Sequence, residues 1–78
     1  MSDEDILAGI RRVASEHLAY EGDILPDTLL APTLELDSIR MLTLVVELEN
    51  HFTICLEEGD EEGIETVSDL VAVVRGRL

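Results

Sequence analysis

The sequence predicts an all-α fold, a small bundle of three main helices plus one short helix, on three observations. Seventy-eight residues allow one small core and little room for a deep cleft. Hydrophobic residues make up 46% of the chain and aromatic ones only 3%, so that core has to be packed from Leu, Ile, Val and Ala. Apolar positions recur at helical spacing in three stretches, and each stretch opens on a residue suited to capping a helix.

The first stretch follows Ser2, which reads as an N-cap with Asp3, Glu4 and Asp5 in the first turn. Ile6, Ile10, Val13, Ala14 and Leu18 form its apolar stripe; Arg11, Arg12, Ser15 and Glu16 fall away from it. Gly22 is a good stop residue, so this helix is expected to end near Tyr20. Residues 21–37 hold no period and contain Gly22, Pro26 and Pro32, which predicts a long loop. Its Ile24, Leu25, Leu29, Leu30, Leu34 and Leu36 are expected to pack over the core.

The second helix is expected from Ser38 to about Phe52, capped by Asp37 or Ser38, with Met41, Leu44, Val45, Leu48 and Phe52 on the core face. Arg40, Thr43, Glu47 and Asn50 lie off that face, as do the apolar Ile39 and Val46, which makes them a candidate contact patch unless Leu34 covers Ile39. The acidic, glycine-rich EEGDEEG at 57–63 suits one short turn at most. The last helix opens on a capping box, Thr66 to Asp69, buries Val67, Leu70, Val71 and Val74, and closes with Arg75 and Arg77 at the negative end of its dipole. Nothing in the chain repeats and no linker splits it, so residues 1–78 are expected to be a single domain.

Charge narrows the function. Eighteen acidic residues face five basic ones, all arginine, for a net charge of -13. Such a surface repels phosphate backbones and anionic membranes, so no nucleic-acid partner is expected, and it steers the chain toward partners with basic patches. No run approaches the roughly 20 apolar residues of a membrane span, so no integral membrane segment is expected. One cysteine, Cys55, allows no internal disulfide and fits a reducing compartment; it reads as a small buried hydrophobe. A cytoplasmic monomer is the plain expectation.

For nucleophilic catalysis Ser38 would need a base, and the only histidines are His17, beside the first helix's apolar stripe, and His51, at the far end of the second helix. Neither has an orienting acid, and nothing signals an oxyanion hole, so a hydrolase is not expected. The acids from Glu57 to Glu65 lack the ligand alternation of a calcium loop and read as a solvated turn, so no metal is assigned. Ser38 itself has a second property besides capping. An anion esterified to a hydroxyl at a helix start sits among free N–H groups at the positive end of the dipole.

LDSI at 36–39, followed by an amphipathic helix ending ELENHF at 47–52, resembles the attachment site of the acyl carrier protein family. ILPDTLL at 24–30 is similar to the segment these proteins place before the serine, and IETVSDLV at 64–71 resembles the opening of their last helix. The resemblance covers nearly the whole chain, which makes it far more specific than a lone Asp-Ser-Ile. It implies a 4'-phosphopantetheine cofactor attached covalently to Ser38 by a phosphopantetheinyl transferase, with Asp37 flanking and Ile39 in place of the usual leucine. The protein would then not be an enzyme but a shuttle for thioester-bound acyl groups, presented to acyl-activating and acyltransferase-type partners through Ile39, Arg40, Thr43, Val46, Glu47 and Asn50.

Four departures qualify the match. Arg40, Thr43 and Asn50 stand at outward positions that are often acidic in fatty-acid carriers, and Glu35 stands where many members have glycine. They favour a specialised fatty-acid, lipid or polyketide-type pathway, with partners that offer an acid or neutral acceptor to Arg40 and an apolar recess to Val46. The alternatives are an aminoacyl or peptidyl carrier, and an unmodified helical interaction module that uses Ile39, Arg40, Thr43 and Val46.

Overall fold

Helix α1 spans Asp3–Leu18 and begins as its sequence dictates. Ser2 Oγ accepts the Asp5 N–H at 3.2 Å while Asp5 Oδ2 accepts the Ser2 N–H at 3.4 Å, so two otherwise orphaned donors are satisfied reciprocally. This computed structural model describes residues 2–57, 59 and 63–78. The remaining elements are α2 (Leu30–Leu34), α3 (Ser38–Phe52) and α4 (Val67–Arg77), with one isolated antiparallel bridge between Leu29 and Thr66. Among the described residues the fold is an all-α bundle.

The end of α1 differs from expectation. It stops at Leu18 because Ala19 turns left-handed, φ 54°, and the N–H groups of Ala19 and Tyr20 both donate to the Ala14 carbonyl. Gly22 does not end the helix but makes room for a ring, since a β-carbon at 22 would meet Tyr20 Cζ at 2.6 Å.

The expected long loop contains the short helix. Pro32 sits at the third position of α2, where its missing N–H would have had no intrahelical acceptor, so it breaks the period without breaking the helix. The short turn expected at 57–63 lies outside the described residues, apart from Glu57, Gly59 and Gly63. Of the loop's apolar side chains, Ile24, Leu30 and Leu34 are buried and Leu36 packs against the core, but Leu25 and Leu29 stay 51% and 52% exposed.

α4 is tied to that loop. The Val67 and Ser68 N–H groups, the first donors of α4, reach the carbonyls of Thr28 and Pro26 at 2.9 and 2.8 Å. Thr66 Oγ1 accepts from Asp69 N–H, and Asp69 Oδ2 takes the N–H groups of Thr66 and Glu65 at 3.0 and 3.1 Å, which holds its carboxyl below the ordinary carboxylate value. At the other end, Arg75 clasps both oxygens of Asp3, an exposed pair that links the last helix to the first.

All the stripe residues expected in α1 and α4 are buried, as are Leu44, Leu48 and Phe52 of α3; Met41 and Val45 are half-buried. No charged side chain is buried and no buried side-chain polar atom lacks a partner among the described residues. α1 packs chiefly on α3 and less extensively on α4. At the α1–α3 seam Gly9 is buried beneath the Phe52 ring, and a β-carbon there would meet Phe52 Cζ and approach His51 Nε2 to 2.9 Å. Cys55 is exposed, contrary to expectation. Beyond the left-handed Thr53 the side chains of Ile54 and Leu56 turn inward, and the residue between them points out.

Two substitutions test this packing with opposite signs. Gly9→Ala forces Phe52 off its seat and lowers unfolding free energy in urea by about 1–3 kcal/mol. Glu35→Gly relieves an exposed left-handed residue (φ 52°) that closes α2, and raises unfolding free energy by roughly 0.5–1 kcal/mol.

Candidate functional site

Ser38 is the first residue of α3, and the residue that caps the helix is Asp37. Asp37 is extended (φ -105°, ψ -171°); its Oδ1 accepts the Arg40 N–H at 2.8 Å and its carbonyl accepts the Met41 N–H at 2.9 Å. The hydroxyl of Ser38 is therefore released from capping. It is exposed, and among the described residues neither it nor the N–H groups of Ser38 and Ile39 has a hydrogen-bond partner. Free donors at the positive end of a fifteen-residue helix suit an esterified phosphate.

The other serines are placed differently. Ser2 Oγ is used as a cap, Ser15 Oγ donates to Glu21 Oε1 at 3.0 Å, and Ser68 follows a helix start whose first amides are already taken by loop carbonyls. The phosphopantetheine group thus fits the residues present at Ser38.

Around Ser38 the face of α3 divides in two. Ile39, Leu42 and Val46 are 76%, 64% and 41% exposed, at spacings of three and four residues, with exposed Asn50 continuing the line. Leu34 is buried and leaves Ile39 uncovered. Leu42 was missing from the expected patch; its spacing from Ile39 and Val46 was the available signal.

Arg40, Thr43 and Glu47 form the second, half-buried edge, from which Arg40 and Glu47 reach α1. Thr43 Oγ1 donates to the Ile39 carbonyl at 3.0 Å, and Glu47 Oε2 lies 3.0 Å from Nε2 of His17. Arg40 is not the outward cation that the sequence suggested. Its guanidinium folds back, with Nε donating to the Leu34 carbonyl and Nη2 to the Leu18 carbonyl, each at 3.0 Å.

No hydrogen bond joins Ser38 to a histidine among the described residues. His17 meets Glu47, and His51 is exposed with its ring edge-on to Phe52, centroids 4.8 Å apart. Beneath the helix lies an apolar seam lined by Met41, Val45 and Leu48 with Leu30, Leu56 and Leu70, whose cavity of about 10 Å³ holds at most a water. Among the described residues no group of three or more His, Cys, Asp or Glu is placed to hold a metal ion, and no helix is long and apolar enough to cross a membrane.

Residues 8–74 match the family described as a phosphopantetheine attachment site. Over 74 residues the chain is 31% identical to an acyl carrier protein of Kineococcus radiotolerans, spanning 94% of this chain and 91% of that one. Over 76 residues it is 30% identical to an acyl carrier protein of Myxococcus xanthus, spanning 96% of each. A meromycolate extension acyl carrier protein of Mycobacterium tuberculosis is 29% identical over 76 residues, 96% of this chain and 66% of that protein.

Replacing the cap tests the local geometry. Asp37→Ala loses about 1 kcal/mol in urea unfolding and speeds exchange of the Arg40 amide, whereas Asp37→Asn keeps an acceptor and both properties.

Proposed function

The chain belongs to the acyl carrier protein family, the bearers of a phosphopantetheine attachment site, and from that premise we propose that Ser38 takes the arm and that α3 offers it to partner enzymes. The protein is a phosphopantetheine-bearing carrier that presents acyl groups to separate enzymes and is not itself an enzyme. When attached, the group supplies a terminal thiol that holds cargo as a thioester. What the chain contributes is an exposed hydroxyl, a rigid helix start and a surface beside it. The observation that carries the assignment to Ser38 is that its hydroxyl and the first two amides of α3 are free, because Asp37 does the capping.

The surface beside Ser38 suits docking by shape and charge. Ile39, Leu42 and Val46 offer an apolar ridge, with Thr43 and Asn50 alongside. All five arginines are engaged within the chain: Arg11 on the Ile24 carbonyl, Arg12 on Glu16, Arg40 on two carbonyls, Arg75 on Asp3 and Arg77 on Glu57. Among the described residues most carboxylates have no internal cation, so the partners this surface attracts (the phosphopantetheinyl transferase first, then acyl-activating and acyltransferase-type enzymes) present a recess for the ridge within a basic rim.

We place the protein in the cytoplasm as a single-domain monomer, in a specialised acyl pathway. The apolar ridge of α3, whose one arginine is folded back onto backbone carbonyls, and the likeness to a carrier named for meromycolate extension support the specialised pathway. Because the seam under α3 is nearly filled, cargo stays outside the bundle unless α3 and α4 part.

Intact mass after incubation with coenzyme A and a broad-specificity phosphopantetheinyl transferase tests the site. The wild-type chain gains one arm; Ser38→Ala, folded by circular dichroism, gains none. An arm on the alanine variant would place the attachment elsewhere.

A further inference from the structure

Arg40 joins three helix ends at the point where Ser38 is delivered. Its own N–H is held by the Asp37 carboxylate at the start of α3. Its guanidinium reaches the carbonyl of Leu34, the last residue of α2, and the carbonyl of Leu18, the last residue of α1. These carbonyls are acceptors that a helix end leaves without partners, and each carries the negative end of its helix dipole, so a cation is the matched donor. α2 closes by sending the N–H groups of Glu35 and Leu36 to the Ala31 carbonyl, which leaves Leu34 to Arg40. A helix of five residues does not sustain itself. The segment from 34 to 37, which leads into Ser38, is thus fixed from a side chain two residues beyond it.

We propose that Arg40 is a positioning residue for phosphopantetheinylation: by clasping the ends of α1 and α2 it holds the start of α3, and with it the Ser38 hydroxyl, in the geometry the transferase accepts. The inference rests on the reading of Ser38 as the attachment site. It replaces a docking role for Arg40 by an internal one, since the guanidinium is folded back with its Nε and Nη2 committed to two backbone carbonyls. Lysine is an imperfect substitute, because one ammonium cannot reproduce the fork that spans two carbonyls.

The test compares wild-type, Arg40→Gln and Arg40→Lys chains in two measurements: initial rates of arm attachment against carrier concentration, and amide exchange at Leu36 and Arg40 with Leu48 as internal reference. Without the clasp only a fraction of molecules holds the accepted geometry. Arg40→Gln should therefore raise KM about tenfold with kcat within about twofold, and exchange at Leu36 and Arg40 should speed by a similar factor. Leu48 should exchange as before, and Arg40→Lys should recover part of both effects. Unchanged KM in the glutamine variant would overturn the proposal. So would a raised KM with unchanged exchange, which would make Arg40 a contact of the transferase. If the wild-type chain itself is not modified, the Ser38 reading fails and this role with it, while the exchange comparison still decides whether Arg40 holds the three ends.

Discussion

The seam between α1 and α3 is the contact on which the rest of the molecule depends. The two helices run antiparallel, with Phe52 seated over Gly9 near one end, Glu47 against His17 further along, and Arg40 on the Leu18 carbonyl at the other. The first contact is possible only because residue 9 has no β-carbon; the last only because an arginine is long enough to reach a carbonyl on the neighbouring helix. Between them the aliphatic stripes close a core that contains one aromatic ring, Phe52. With only one ring in it, the core excludes water by close packing of leucine, isoleucine and valine side chains.

This seam also decides which part of α3 is left for others. Turning Arg40 and Glu47 toward α1 leaves Ile39, Leu42 and Val46 in solvent beside Ser38. A monomer normally hides such a row; here it adjoins a helix start whose first two amides are unclaimed among the described residues. The apolar ridge and the free donors belong to one surface, and the cap at Asp37 makes both available.

Charge acts at longer range. A net charge of -13 on 78 residues repels itself, and each internal arginine contact relieves a little of that repulsion. The arginines serve carbonyls as well as carboxylates: Arg11 takes the Ile24 carbonyl in the first loop, and Arg40 takes two helix ends. The scarce cations thus hold loops and helix termini in place, and the surplus of acid remains as the field a basic partner meets. No lysine is present to offer a mobile counter-charge.

The sequence by itself determined where helices begin and which faces they bury. Ser2 with Asp5, Asp37 with the amide of residue 40, and Thr66 with Asp69 act within one turn, and the stripes of α1 and α4 need only the period of the helix. Ser38 was legible for the same reason, as a hydroxyl between an acid and an amphipathic run. What lay beyond a turn or two was decided by the tertiary structure. α1 ends early because Ala19 accepts a left-handed turn, α2 hides behind Pro32, and Cys55 is exposed because its neighbours are drawn inward. Arg40 looked like a cation for a partner, since its helical position points away from the core stripe. Its acceptors lie 6 and 22 residues away in the chain, and only folding brings those carbonyls within reach of a flexible side chain whose direction no local pattern sets.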